Sequence, residues 1–260
     1  MNVTSIKKLL PLSFRIWGRH TYNKLWADRR LNNEFFGFLF DLSGTIYKER
    51  GCSFEIPKDL TSRGFRSRFF FHSYETDDAN LVEKFIQPQD AVLELGACIG
   101  FLACITNKKL TNSGHHVVVE ANPLLIPWIE RNKIRNNCSF RVEHCLVSDN
   151  SDGVFYIHDL IVSGSAVRKT GRSVKVPVKS VSAIFKDASP TAIIVNIEGG
   201  ELDFLRQAKS LLGNVRLAIV DMHDFIIGKE ACDECRRLLA EAGFCFVEKP
   251  ASIEVWMRKH

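Results

Sequence analysis

Acidic and imidazole side chains fall at the ends of predicted strands, where they could carry out proton transfer. Glu198 follows the apolar run 192–197, and Asp221 and His223 follow the apolar run 215–220. The carboxyl ends of parallel strands form the ligand-binding edge of an open α/β sheet. An unperturbed histidine titrates near neutral pH and can take a proton from a hydroxyl group. We therefore expect His223 to be a general base, with Glu198 as the second candidate.

Each of these two residues has a structural alternative. His223 could be a surface histidine on a loop, and Glu198 could compensate the positive end of the helix that follows it. The choice depends on whether the rest of the chain supports a binding site at the same edge.

A glycine-containing loop joins a predicted strand to a predicted helix. The strand run 91–95 contains Glu94 and leads to Gly96 and Gly100, and the apolar run 101–105 follows. Nucleotide-binding α/β domains turn from their first strand into their first helix in this way, and glycines let the backbone approach a ligand closely. Such a short glycine pattern also occurs in ordinary strand-to-helix turns, so support is needed downstream.

The residues around this loop distinguish between nucleotide cofactors. Cys98 and Phe101 occupy the places of the second and third glycines of a dinucleotide-binding loop. Glu94 can meet a ligand ammonium group, whereas it would repel a pyrophosphate. Glu120 ends the next strand run, 116–120, where doubly wound folds place an acid that binds ribose hydroxyls. The pattern therefore predicts S-adenosylmethionine rather than NAD.

Strands and helices alternate along most of the chain. Apolar runs predict strands at 91–95, 116–120, 140–147, 192–197, 215–220, 244–247 and 253–256. Shorter alternating runs at 154–157 and 174–178 predict a β excursion near the ligand-binding face. This order predicts an α/β fold with a mostly parallel sheet and an antiparallel edge strand.

The composition fits one large domain with an extension. The chain has 260 residues, of which 45% are hydrophobic and 25% charged, with a net charge of +5. This modest charge permits an acidic substrate or a membrane surface, but we expect no dedicated nucleic-acid binding without a clustered basic patch. We place the extension at residues 1–70 and the main domain at residues 71–260.

The extension is basic and aromatic. Residues 1–32 contain seven Lys or Arg and one Asp, interleaved with apolar side chains. Such a segment can lie on an anionic membrane, which would give a peripheral membrane contact through residues 1–40. The alternative, which we favour, is a helical layer that packs its apolar face on the domain.

Local patterns give further expectations. The aromatic run 35–40 is predicted to be buried, and the run 69–71 to be a buried strand. Asp78 is predicted to cap a helix. The Asn-Pro pair that begins at Asn122 is typical of a helix start, although Pro127 would then disturb the second turn.

The cysteines and the hydropathy indicate a cytoplasmic protein. Eight cysteines lie mostly within apolar patterns, which is typical of reduced, buried thiols. Cys232 and Cys235 have metal-like spacing, but no second pair accompanies them, so we predict no metal site. We expect no membrane-spanning helix and no secretory signal, because the chain has no long uncharged apolar run and Arg15 interrupts the short one near the start.

Six short motifs occur in an order that resembles the FkbM family of class I S-adenosylmethionine-dependent methyltransferases. They lie at residues 74–75, 94–100, 120–123, 147–149, 196–201 and 221–223. The resemblance covers roughly residues 70–257. It implies the Rossmann-like class I methyltransferase fold with a mostly parallel seven-stranded sheet, S-adenosyl-L-methionine as cofactor, and O-methylation of a hydroxyl. The acceptor class implied is a sugar, polysaccharide or natural product, often in surface polysaccharide biosynthesis.

The loop pattern and the resemblance together give the site residues. The expected cofactor-binding residues are Glu75, Glu94, Gly96, Ala97, Gly100, Glu120, Ala121, Asn122, Ser148 and Asp149. The expected catalytic residues are His223, Glu198 and Asn196. Two positions depart from the family pattern. Cys98 replaces a small polar Asn, and Asn196 replaces an Asp, although an amide cannot usefully accept a proton.

Three alternatives follow from these departures and from the composition. The protein could be a catalytically degenerate methyltransferase-fold binding protein, because Asn196 lacks the usual carboxylate. It could methylate RNA or protein, although no nucleic-acid module or basic stripe is evident. An NAD oxidoreductase is disfavoured by the glycine pattern.

Overall fold

The computed structural model describes residues 32–150, 152–158 and 164–259. These residues form two compact units. The smaller contains residues 32–45 and 61–74, and the larger contains residues 46–60 and the described residues from 75 onward. Residues 46–60, which the sequence assigned to the extension, thus lie in the larger unit.

The secondary structure alternates as the sequence predicts over most of the larger unit. The described strands are β1 (Ile46–Glu49), β2 (Cys52–Glu55), β3 (Val92–Leu95), β4 (His116–Glu120), β5 (Arg141–His144), β6 (Leu146–Val147), β7 (Val154–Tyr156), β8 (Ser173–Lys175), β9 (Val178–Lys179), β10 (Ala192–Val195), β11 (Leu217–Asp221), β12 (Phe244–Glu248) and β13 (Ile253–Arg258). The described α-helices are α1 (Glu34–Asp41), α2 (Arg63–Phe70), α3 (Thr76–Phe85), α4 (Phe101–Lys109), α5 (Ile126–Arg135), α6 (Val181–Ala188), α7 (Glu201–Ala208), α8 (Asp224–Ile227) and α9 (Lys229–Glu241).

Seven strands form the main sheet of the larger unit, in the order β12-β13-β11-β10-β3-β4-β5. The neighbours from β11 to β5 are parallel. Strand β13 runs antiparallel to both β11 and β12. The mostly parallel seven-stranded sheet is therefore confirmed. The antiparallel strand β13, however, is not the edge strand. It lies second from the edge, and β12 forms the edge.

The centre of this sheet is covered on both faces. Strands β3, β4 and β10 are buried along their whole length, as is usual for parallel sheets flanked by helices. Helices α7 and α9 contribute Phe204, Leu205, Cys235 and Leu239 to the core, each at most 1% exposed. The predicted β excursion is confirmed, since β7 pairs with β8. The predicted single strand 140–147 is wrong, because only β5 joins the main sheet, whereas β6 pairs with β9 outside it.

The smaller unit contains helices α1 and α2. The side chain of Asn33 caps α1 by accepting a hydrogen bond from the Phe35 amide at 2.9 Å. Ser62 caps α2 by accepting one from the Phe65 amide at 3.1 Å. The guanidinium of Arg66 donates two hydrogen bonds to the Asp41 carboxylate, at 2.6 and 2.7 Å. Residues 1–31, on which most of the expected membrane contact falls, lie outside the described residues.

Two predictions about aromatic runs in this unit are wrong. The run 69–71 is not a strand, because the Ser62 cap starts a helix that buries Phe65 and Phe69 on one face. The run 35–40 is only partly buried, because it is helical and one face of the helix is exposed. Phe40 is 5% exposed, whereas Phe35 is 62% exposed.

Two helix starts also differ from the prediction. Helix α3 begins before Asp78, which lies inside it and is buried. Helix α5 begins at Ile126, so that Pro127 falls in the first turn, where proline removes no needed donor. The side chain of Asn122 instead accepts a hydrogen bond from the Leu124 amide at 3.1 Å, which forms a turn before the helix.

In the described parts of the chain, no helix combines the length and apolarity needed to span a membrane. The eight cysteines are free thiols.

Candidate active site

Gly96 brings two predicted site segments together at the centre of the sheet. It has a φ of +88°, and a Cβ built there would lie 1.7 Å from the carbonyl oxygen of Asn196. The Asn196 amide in turn donates to the Leu95 carbonyl at 2.9 Å. Only glycine fits this contact. It lies between the carboxyl ends of β3 and β10, where the strand order reverses and open α/β sheets bind ligands.

Glu120 holds the glycine loop from the neighbouring strand. Its Oε2 accepts a hydrogen bond from the Cys98 amide at 2.9 Å, and its Oε1 accepts one from the Asn122 amide at 2.8 Å. Burial raises the pKa of Glu120 to about 7, although these amides act in the opposite direction. Each carboxylate oxygen can accept more than one hydrogen bond, so Glu120 can also contact ligand hydroxyls.

Glu94 is a buried carboxylate with unmet hydrogen-bonding capacity. It is 1% exposed, and neither oxygen has a hydrogen-bond partner among the described residues. The Nε2 atom of His116 lies 3.3 Å from Oε2, but without hydrogen-bond geometry. Burying a carboxylate without a hydrogen-bond partner costs folding free energy. A cationic ligand group would compensate it, which fits the ammonium group of the predicted cofactor.

Asp78 is an acidic residue near Glu94 that sequence reasoning did not place in the site. Burial raises its pKa to about 7, and the neighbouring charges of Asp221, Asp77 and Glu94 act in the same direction. Asp221 and Glu94 both raise the pKa of Asp78, so Asp78 interacts electrostatically with acids on both sides of the site.

His223 lies among three carboxylates. Two of them, Glu198 and Asp221, were expected near it because they also follow strand ends. Its Nδ1 is 2.7 Å from Oε1 of Glu201. Its Nε2 is 3.4 Å from Oε1 of Glu198 and 3.6 Å from Oδ2 of Asp221. The imidazole is only 5% exposed. It is therefore a buried part of the site, not a surface histidine.

The carboxylates change the protonation of His223. Burial alone would lower its pKa, but the hydrogen bonds to Glu198 and Glu201 outweigh it and raise the pKa of His223 to about 10. Burial also raises the pKa of Asp221, while the charge of His223 acts in the opposite direction. At neutral pH His223 is therefore an imidazolium, with a proton on both ring nitrogens. It must lose one of these protons before it can act as a base.

The loop after β10 is held in an unusual conformation. Glu198 has a φ of +49°, which costs a residue with a Cβ about 1–2 kcal/mol. The hydroxyl of Ser165 donates to the Glu198 carbonyl at 2.7 Å, and Ile226 packs so closely on Gly199 that a Cβ there would lie 2.7 Å from its Cγ2. These contacts hold the Glu198 side chain beside His223.

Glu201 is the most important site residue that the sequence missed. It is fully buried, and its Oε1 accepts a hydrogen bond from the Gly199 amide at 3.1 Å in addition to contacting His223. Its motif, residues 196–201, was recognised. An acid in the first turn of a helix, however, usually compensates the helix dipole. No local pattern distinguishes that role from a contact with a histidine elsewhere in the chain.

The remaining expected cofactor residues make other contacts. Ser148 donates to the Asp203 carboxylate at 3.1 Å. Asp149 accepts from the Val181 amide at 3.1 Å at the start of α6. Glu75 has a φ of +45° just before α3, Ala97 is buried, and Ala121 is half-buried. Their part in cofactor binding stays a prediction. Among the described residues, no group of His, Cys, Asp or Glu is arranged to hold a metal ion.

The sheet order and the site at its switch point define a class I methyltransferase fold. The profile of the methyltransferase FkbM domain matches residues 94–246, more than half of the chain. The protein belongs to the FkbM family of S-adenosylmethionine-dependent methyltransferases. No curated protein matches the chain.

Solved methyltransferase structures share a distant likeness with the chain. The ribosomal protein L11 methylase of Lactobacillus delbrueckii subsp. bulgaricus is 16% identical, over 72% of this chain and 80% of that one, with a TM-score of 0.45. The precorrin-6y C5,15-methyltransferase of Geobacter metallireducens GS-15 is 12% identical, over 79% and 94%, with a TM-score of 0.46. The M. jannaschii TYW2 in complex with AdoMet is 12% identical, over 82% and 86%, with a TM-score of 0.42. These values carry no information about the acceptor.

Proposed function

We propose that the protein is an O-methyltransferase that methylates a hydroxyl of a sugar, a polysaccharide or a natural product. The observation that carries this proposal is the buried His223 cluster beside the Gly96 loop, because proton-accepting groups adjoin a cofactor-type loop. The cysteine thiols support a reducing compartment such as the cytoplasm, and polysaccharide biosynthesis is the setting that the family resemblance favours.

The residues present fit S-adenosyl-L-methionine. The backbone of the glycine loop would face the ligand, Glu120 would hold the ribose hydroxyls, and Glu94 with Asp78 would meet the ammonium group. When bound, this cofactor supplies an activated methyl group. Its methionine ammonium would compensate the buried carboxylate of Glu94, which has no hydrogen-bond partner among the described residues.

The acceptor hydroxyl must be aligned with the methyl group and must lose its proton. We assign proton acceptance to Nε2 of His223 in its neutral form. Glu201 is a positioning residue, because it contacts Nδ1 and so leaves Nε2, which faces Glu198 and Asp221, as the nitrogen that takes the proton of the acceptor. The amide of Asn196 can orient the same hydroxyl, and Glu198 can hold a neighbouring one.

One observation favours a second assignment, with Glu198 as the base. The pKa of His223 is raised to about 10, so only a small fraction of its side chains is neutral at pH 7. If neutral His223 is the base, the rate should rise about tenfold per pH unit between about pH 7 and pH 9. A rate that is level over this range would indicate Glu198.

The function is tested by methyl transfer from labelled S-adenosyl-L-methionine to a panel of acceptors. The panel should contain polysaccharides, small hydroxylated natural products, RNA and a protein mixture. We expect label only in the first two classes, and loss of label with His223→Ala. Label confined to RNA or protein would overturn the proposed acceptor class. Cofactor binding without transfer, even by Asn196→Asp, would show a binding protein instead of an enzyme.

A further inference from the structure

Helix α1 presents an exposed apolar face. Phe35, Phe38 and Leu42 are spaced three and four residues apart, so they lie on one side of the helix, and they are 62%, 44% and 69% exposed. Phe70 of α2, 39% exposed, extends this surface through Phe36, whose ring centroid is 5.4 Å from the rings of both Phe35 and Phe70. We call these five residues the α1 face.

The charged groups of α1 are directed away from this face. Oε1 of Glu34 accepts a hydrogen bond from the Gly64 amide at 3.1 Å, and the Asp41 carboxylate is bound by Arg66. The guanidinium of Arg63, whose side chain is 52% exposed, lies 5.8 Å from the centre of the Phe38 ring. The surface is thus apolar, with a positive charge at its rim. Asp41 is paired with Arg66, and Glu34 is bonded to a backbone amide.

The sequence just before α1 indicates what covers this face. Residues 1–32 contain seven Lys or Arg and one Asp. Arg29 and Arg30 precede Glu34 by five and four residues, so the chain keeps them within about 18 Å of it in any conformation. An apolar face bordered by basic residues is typical of segments that lie at the surface of anionic membranes.

We propose that the α1 face docks on an anionic phospholipid bilayer. The exposed Phe and Leu side chains enter the boundary between headgroups and acyl chains, while Arg63 at the rim contacts the lipid headgroups. The seven Lys or Arg of residues 1–32 add positive charge to the same part of the chain. A second copy of the chain is a poorer occupant, because pairing two α1 faces would bring two strongly basic segments together.

Vesicle sedimentation of the full chain tests this proposal independently of methyl transfer. The protein is mixed with vesicles of phosphatidylcholine, with or without phosphatidylserine. The test variant is Phe35→Ser/Leu42→Ser. The control is Ile134→Ser/Phe246→Ser, which removes side chains that are 73% and 53% exposed in the larger unit. We expect the parent and the control to sediment only with the vesicles that contain phosphatidylserine. This binding should be weaker in high salt. The test variant should bind at least roughly tenfold more weakly.

Three results would overturn the proposal. The first is equal vesicle binding by the parent and the Phe35→Ser/Leu42→Ser variant, or binding by neither. The second is a dimer in solution that this variant dissociates, which would identify a second copy as the occupant. The third is a lower unfolding temperature of the variant without vesicles and no change in vesicle binding, which would mean that the chain itself covers the face.

Discussion

The carboxylates on the two sides of the sheet's switch point have different partners. On the β3–β4 side, Glu120 is hydrogen-bonded by backbone amides, and Glu94 has no hydrogen-bond partner in the described chain. On the β10–β11 side, Glu198 and Glu201 surround the protonated imidazole of His223. A buried carboxylate that lacks a hydrogen-bond partner among the described residues is suited to bind a ligand cation, whereas one that shares a proton with histidine is suited to proton transfer.

The largest expected effect is on the β10–β11 side. His223→Ala should lower kcat about 10²- to 10⁴-fold, the usual contribution of a general base, and leave the affinity for S-adenosyl-L-methionine nearly unchanged. Turnover with the acceptor found in the labelling screen, together with calorimetry, measures the two quantities. The exposed His115→Ala is the matched control. Parent-like activity of His223→Ala from about pH 6 to about pH 9 would remove histidine from the mechanism.

On the β3–β4 side, Glu120→Ala should greatly weaken cofactor binding without disturbing the His223 cluster. The parent should bind S-adenosyl-L-methionine with micromolar-scale affinity, about −8 kcal/mol. The variant should bind at least about 100-fold more weakly, since the ribose contacts and the bonds that hold the loop are lost. Calorimetry measures both, with Glu130→Ala on the surface of α5 as the control. Tight binding of NAD and no response to S-adenosyl-L-methionine would contradict the assignment.

Glu201→Gln tests whether the buried glutamate acts through His223. Removing this charge should lower the pKa of His223, so the pH at which kcat stops rising should move below about 10, with kcat changed roughly tenfold. The pKa of His223 is higher than in the unfolded chain, so its ion pairs stabilise the fold fully below about pH 6.5 and less as the pH rises through about 10. The unfolding temperatures of parent and variant should therefore converge at alkaline pH.

The exposed Glu241→Gln is the control for this experiment. A purely structural role for Glu201 would lower the unfolding temperature of Glu201→Gln and leave the pH profile of kcat where it is in the parent.

Asp78→Asn should stabilise the protein, because Asp78 is a buried acid beside other acids. Its pKa is raised from 3.8 to about 7, so ionisation opposes folding increasingly between these values and fully above them. We expect a gain of roughly 1–3 kcal/mol near pH 8 and almost none near pH 4, measured by urea unfolding. The exposed neighbour Asp77→Asn should change stability by less than about 0.5 kcal/mol. A loss of stability in Asp78→Asn near pH 8 would contradict this account.

The smallest effect is expected for Asn196→Asp, at the contact between the two sides. Its backbone carbonyl holds Gly96 and is unchanged by the substitution, while the new carboxylate restores the group that the family usually carries. We expect turnover equal to the parent or a few-fold higher. A clear loss of turnover would show that the Asn196 amide is itself required to orient the acceptor.

The sequence alone determined the alternation of strands and helices and the edge where the site forms. Apolar periodicity is a local property, so it predicted the strands of the main sheet to within a few residues. The residues that end β10 and β11 must lie at one edge of a parallel sheet. Glu198, Asp221 and His223 could therefore be grouped without coordinates.

Only the tertiary structure decided the properties that depend on neighbours distant in sequence. The run 69–71 has strand-like composition, but its helix is fixed by the Ser62 cap and by burial of one face. Glu201 joins the site because β11 brings His223 to the first turn of α7. The pKa of His223 follows from its burial and from its contacts with Glu198 in the loop after β10 and Glu201 in α7. The Ser62 cap is a local signal, since it lies three residues from the amide that it binds. The contact of Glu201 with His223 and the burial of one helix face have no such signal, because they pair residues that only the folded chain brings together.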